Sequence, residues 1–178
     1  MSEPSSPTDV VRCGAVAVVV ENVQDEVDVD HVRWANLAAA ALDALDAAGE
    51  LTLTFIDRQE IIDLKVTHFG DVGEHPTDVL SFPLDEPASA ADGLPILLGD
   101  VVICPSVAAE QATDHAGTFD DEMALLVVHG VLHILGHDHV EPADTALMQA
   151  QELALLESLH WSHQAPRGFA ERQREGAR

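Results

Sequence analysis

A chain of 178 residues with 32 acidic against 8 basic side chains carries a formal net charge of −24 and a pI near 4.3. That field excludes the usual electrostatic grip on DNA, which needs clustered Lys and Arg; here Lys65 is the only lysine, and four of the seven arginines, Arg167, Arg172, Arg174 and Arg178, gather at the C-terminus. A hydrophobic fraction of 47% and a mean hydropathy of +0.07 fit one folded domain, and no run approaches the roughly 18 apolar residues of a membrane span.

In chain order, residues 1–13 read as a polar, flexible N-terminus, and 14–163 as a single domain. Residues 14–22 are β-branched and predict a first strand. From His31 to Ala48 the apolar positions Val32, Leu37, Ala41, Leu42 and Leu45 recur near helical period, and Gly49 stops the run. Leu51–Asp57 alternates as a second strand, and Arg58–Thr67 predicts a short helix. A loop at 68–76 leads to a third strand, Asp78–Pro83; residues 84–95, rich in Pro, Ala, Asp and Gly, connect it to a fourth, Leu97–Cys104.

After Pro105 the pattern becomes helical: Ser106–His115, Phe119 or Asp120 to Leu135, and Glu141–Leu159. The middle helix is apolar nearly all round, which predicts burial on several sides. Asp120, Asp121 and Glu122 at its start suit the positive end of the helix dipole and read as capping. The last helix is an amphipathic packing element, and 164–178 a polar, disordered tail. Strands interleaved with helices predict an α/β fold with a small, mixed, mostly parallel four-stranded sheet and helices packed on it. Cys13 and Cys104 form no CxxC, the N-terminus lacks a leader-like apolar stretch, and the chain is expected to be cytoplasmic.

The stretch from His129 to His139 carries the functional signal. His129 and His133 are four residues apart, so in a helix both imidazoles share one face and two ring nitrogens can converge on one cation. Gly136 is placed to end the helix in a left-handed conformation and return His139 as a third ligand. Three neutral imidazoles suit Zn2+, one per chain, with the fourth position open. With 10 histidines in the chain, about 0.03 accidental matches to this spacing are expected. His137 lies inside the same turn and is an alternative ligand, and the bland alternative is a helix whose histidines are simply buried and hydrogen-bonded, or solvated. The spacing also matches the metzincin proteases, but position 130 is Gly where they carry the glutamate that serves as general base. A metal without that base suits phosphoryl chemistry on RNA, whose 2′-hydroxyl supplies the nucleophile. Asp138 is a candidate for orienting a ligand histidine or taking a proton.

Three blocks in this order, Pro76–Pro83 (PTDVLSFP), Leu98–Ile103 (LGDVVI) and Val128–His139 (VHGVLHILGHDH), resemble the signature of the YbeY-type endoribonucleases, also described as rRNA maturation factors, over roughly residues 14–160. The resemblance implies a metal-dependent hydrolase: a single-strand-specific endoribonuclease of 16S rRNA 3′-end maturation and ribosome quality control. It puts zinc on His129, His133 and His139, and Thr77, Asp78, Ser81 and Phe82 in the substrate cleft. Its implied partners are rRNA, the small ribosomal subunit and an Era-like GTPase. One position departs from the family: where many members carry an arginine before the Pro-Thr-Asp block, alignment on Leu64 and Gly70 puts Phe69. Two other function classes stand beside this one: a ribosome-assembly factor with a structural zinc and little turnover, and a metallopeptidase.

Overall fold

The computed structural model describes residues 8–70, 75–84, 96–137, 140–162, 164–169 and 173. Strands β1 (Asp9–Cys13), β2 (Val16–Asn22), β3 (Gly49–Phe55), β4 (Val79–Pro83) and β5 (Leu97–Ile103) form one sheet in the order β1-β2-β3-β5-β4. The central strands β2, β3 and β5 are parallel, while β1 on β2 and β4 on β5 are antiparallel, so both edges reverse direction. Among the described residues five helices accompany them: α1 (His31–Ala44), α2 (Arg58–Phe69), α3 (Pro105–Gln111), α4 (Phe119–Ile134) and α5 (Pro142–Leu159).

Strand alternation distributes the core over the two faces of the sheet. Val18, Val20, Leu51, Leu53, Phe55, Val101 and Ile103 pack with α1, α4 and α5 in the larger cluster. Val102, between Val101 and Ile103, points the other way, into a smaller cluster with Ile56, Ile61 of α2, Cys104 and Val107 of α3. Burying these aliphatic side chains contributes roughly 1.5–3 kcal/mol each, which lets a core with few aromatics hold the domain.

Helix ends follow local chemistry. Asp57 and Glu60 form a reciprocal capping box at the start of α2, and Gly70 closes it in the left-handed region at φ 61°. Thr118 caps α4 by accepting from the Asp121 N–H at 3.1 Å. At the other end of α4, Gly136 has φ 90°, its N–H donates to the His133 carbonyl, and the His137 N–H reaches back to the Leu132 carbonyl at 3.0 Å, the paired closure that a glycine after a helix allows.

Two expectations are corrected. The sheet has five strands: Asp9–Cys13, read as part of a flexible N-terminus, pairs with β2, because Val11 and Cys13 alternate inward onto the core while Val10 and Arg12 face out. The tail is also ordered further than expected. Phe169 is 3% exposed, its ring edge-on to Trp161 at 4.7 Å, so one aromatic after residue 164 anchors that segment to the core.

Candidate active site

Helix α4 is enclosed by α1, α3, α5, β4 and β5, and its side chains are buried on nearly every side. His129 and His133 are the partly exposed positions in its C-terminal half, one turn apart. Their rings meet edge to face at 4.5 Å, and their Nε2 atoms stand 3.0 Å apart. Behind them, His129 Nδ1 lies 2.6 Å from Oε1 of Glu152, a buried residue of α5. With the Nδ1–H donating to that carboxylate, the Nε2 lone pair of His129 points away from Glu152 and toward His133.

These donors fit a divalent cation. Two imidazole nitrogens on one tetrahedral zinc sit about 3.3 Å apart, given metal–nitrogen distances of about 2.0–2.1 Å. The observed separation of 3.0 Å needs only a small adjustment to reach that value. A carboxylate behind a ligand histidine is the usual device for fixing its tautomer and strengthening it as a ligand. Glu152 was not singled out from the sequence, since it lies on a helix read as a packing element, 23 residues from His129. Both Asp138 and His139 lie outside the described residues.

The site opens on a cleft of about 430 Å³, whose walls include Asp78, His115, Leu126, His129, Met148 and Glu152. Asp78 is fixed internally: its carboxylate accepts from the Val79 N–H at 2.8 Å, from Gln111 Nε2, and from the Thr77 hydroxyl at 3.3 Å. Of the other expected cleft residues, Ser81 faces α4, its Oγ 3.5 Å from the point where a Cβ at Gly130 would lie. Phe82, the next residue on β4, packs with Leu80 on the opposite face, where the His68 ring meets it tilted at 4.9 Å and the exposed Phe69 stacks on it at 6.0 Å.

The acidic start of α4 does more than complement the helix dipole. Asp120 pairs with Arg33 at 2.9 Å. Asp121 accepts from Trp161 Nε1 at 2.6 Å, His160 Nε2 at 3.0 Å and the Thr118 hydroxyl at 2.7 Å, tying the end of α5 to the start of α4. Burial pushes the Asp121 carboxyl up, but these hydrogen bonds and the charge of His160 outweigh it and hold its pKa below the ordinary carboxylate value. Glu122 is fully buried and accepts from Gln111 Nε2 at 2.9 Å, from the Ala116 N–H at 3.1 Å, and from His115, whose Nδ1 lies 2.8 and 2.9 Å from its two oxygens. That hydrogen bond is the largest influence on His115; the charges of Glu122, Asp78 and Glu152 add to it, burial opposes it, and the imidazole pKa is raised.

Position 130 bears on the peptidase alternative. A Cβ there would fall 2.6 Å from Val101 Cγ1, so α4 and β5 meet at a contact that only glycine permits, and a glutamate has no room.

Fold and site together define a class: a one-domain α/β protein that presents two histidines, backed by a carboxylate, on a buried helix at the wall of an acidic cleft. A profile of the family described as Endoribonuclease YbeY matches residues 19–160. Relatives include Endoribonuclease YbeY of Frankia casuarinae, 42% identical over 151 residues that cover 80% of this chain and 74% of the relative. That of Thermobifida fusca is 44% identical over 135 residues, 73% of this chain and 86% of the relative. That of Nocardia farcinica is 38% identical over 170 residues, covering 92% and 90%. The chain belongs to the endoribonuclease YbeY family. Its fold is similar to the solution structure of TM1509 from Thermotoga maritima, with a TM-score of 0.56 at 22% identity over 80% of this chain and 88% of that one. No helix among the described residues is long and apolar enough to cross a membrane.

Proposed function

We propose that this chain is a metal-dependent endoribonuclease that cleaves single-stranded RNA in 16S rRNA 3′-end maturation, with one zinc held by His129, His133 and His139. The observation that carries the reading is the convergence of the His129 and His133 Nε2 atoms to 3.0 Å, with Glu152 behind His129. A zinc bound there supplies a Lewis acid for a phosphoryl oxygen. Glu152 holds the His129 proton on Nδ1, which keeps the Nε2 lone pair aimed at the site. Asp138 is assigned to orienting a neighbouring ligand or accepting a proton. The apolar wall from Leu125, Leu126 and Met148 lowers the local dielectric, strengthening every charge interaction in the cleft. The proposal includes a cytoplasmic setting, with the small ribosomal subunit and an Era-like GTPase as partners.

The experiment is cleavage of a single-stranded RNA from the 16S 3′ region by zinc-supplied protein and its His133→Ala variant, purified identically, over a salt series. The expected result is cleavage by the wild type that both chelator and substitution abolish. Equal cleavage by the two proteins would mean a contaminating nuclease and defeat the reading. A second reading, an assembly factor with a structural zinc, is favoured by one feature: among the described residues lining the cleft there is no Lys or Arg. It predicts no turnover by a zinc-loaded preparation and loss of fold on chelation.

A further inference from the structure

RNA carries a negative charge at every linkage, and a protein of net charge −24 must meet it with a local cation. Apart from His129, the one basic side chain among the described residues lining the cleft is His115. It stands in the turn between α3 and α4 with its side chain 31% exposed, and Glu122 grips its Nδ1 with both carboxylate oxygens. Glu122 is 0% exposed, in a helix whose other buried side chains are apolar except Asp121. A carboxylate in such a place is costly unless donors and a compensating charge converge on it. Gln111 and the Ala116 N–H supply two of the donors, and His115 is the partner able to carry the charge.

We propose that His115, positioned by Glu122, is the phosphate-binding cation of this cleft, and that its ligand is a phosphodiester group of single-stranded RNA. The proposal takes the identity of the anion from the nuclease reading. Among the described residues, the groups facing His115 are Glu122 from α4, Asp78 from the segment before β4 and Glu152 from α5, with neutral Gln111 from α3; these three acids all favour the charged imidazole. Two of them are turned onto internal donors, Asp78 onto Gln111 and the Val79 N–H and Glu152 onto His129, which limits their repulsion of an incoming phosphate. Among its described lining, the cleft therefore gains a cationic side chain, beside the metal-binding histidines, from a residue that a strongly acidic sequence gives no reason to notice. A histidine in this role also makes RNA binding depend on pH near neutrality, which an arginine would not.

The test is binding of a short oligouridylate to the full chain with zinc supplied, read by fluorescence anisotropy between about pH 5.5 and 9, for wild type, His115→Gln, His115→Arg and Glu122→Gln. The expected result is a loss of roughly tenfold or more for His115→Gln, the scale of one charge-assisted hydrogen bond, with a log–log salt slope shallower by about 0.7. His115→Arg restores affinity and makes it insensitive to pH, whereas wild-type affinity falls as pH rises through the raised His115 value. Glu122→Gln moves that fall to lower pH. Identical binding by His115→Gln and wild type at every pH and salt would overturn the proposal. So would a loss that His115→Arg leaves unrestored while both variants melt like the wild type. If both melt lower, His115→Lys and the pH profile of the wild type decide: affinity flat in pH also overturns it. Binding that depends on His115 without RNA cleavage would leave the proposal standing and defeat the nuclease reading instead.

Discussion

Gly130 of α4 lies against Val101 of β5 so closely that a methyl group at position 130 would stand 2.6 Å from Val101 Cγ1. The close approach brings the backbone next to His129 down onto the sheet, and it makes the helix intolerant of the glutamate a peptidase would need beside its first histidine. Gly130→Ala is expected to destabilise the fold by about 1–3 kcal/mol from overpacking, reduced by the up to ~1 kcal/mol that alanine gains over glycine in a helix. Urea unfolding midpoints check this, and a variant as stable as the wild type would show that Val101 yields freely. Gly130→Glu is expected to lose the fold and to gain no peptide hydrolysis.

Glu152 accepts from His129 Nδ1 at 2.6 Å. Replacing it with Gln leaves a partner able to hold the wrong tautomer, and replacing it with Ala removes this acceptor. Either change is expected to weaken zinc binding about 10–100-fold, the usual effect of losing a carboxylate behind a ligand histidine. Competition titration with a chromophoric chelator measures it. Unchanged affinity in both variants would show that the proposed zinc does not depend on the His129 tautomer.

Asp121 and His115 predict stability changes of opposite sign with pH. The folded pKa of Asp121 lies below its ordinary value of 3.8, so its contribution is present above that value and is lost as pH falls through the folded pKa. Trp161→Phe removes one of the donors responsible, and the acid limb of the stability profile should become shallower. For His115, raised above 6.5, the contribution is full below that value and is lost as pH rises through the folded pKa. His115→Gln should flatten this upper limb. Denaturant midpoints across pH read both limbs, and profiles that superimpose on the wild type would refute the assignment.

Phe169 packs on Trp161 with 3% of its surface exposed. Phe169→Ala is expected to cost about 3 kcal/mol, at the lower end for a buried phenylalanine. A chain truncated before residue 164 should lose a comparable amount, and thermal melts would show it. A truncated protein melting like the wild type would mean that the segment after α5 contributes nothing to the core.

The elements legible in the sequence were those in which neighbours along the chain suffice. The pair His129 and His133 is a consequence of helical period, and Gly136 ends α4 because a backbone without Cβ takes φ 90° at little cost. The strands β2, β3 and β5 announce themselves through β-branched and alternating residues, and the three blocks that resemble the family coincide in part with β4, β5 and α4. Strand β1 is harder to see, because Asp9–Cys13 directly follows a polar, proline-bearing start and its alternation shows which face is buried only once β2 supplies the hydrogen-bonding partner.

The chain's order of residues was enough for its fold class, its family and the helix that carries the histidine pair, all of which depend on spacings of a few residues. It was silent on Glu152 behind His129, on Glu122 under His115 and on Asp121 beneath Trp161. Those pairs stand 23, 7 and 40 residues apart, and the polar partner in each is indistinguishable by type from the other acidic residues of the chain. Which carboxylates become buried acceptors and which remain solvated is settled by how α3, α4 and α5 pack, since burial is what turns a common surface charge into one that must find a partner.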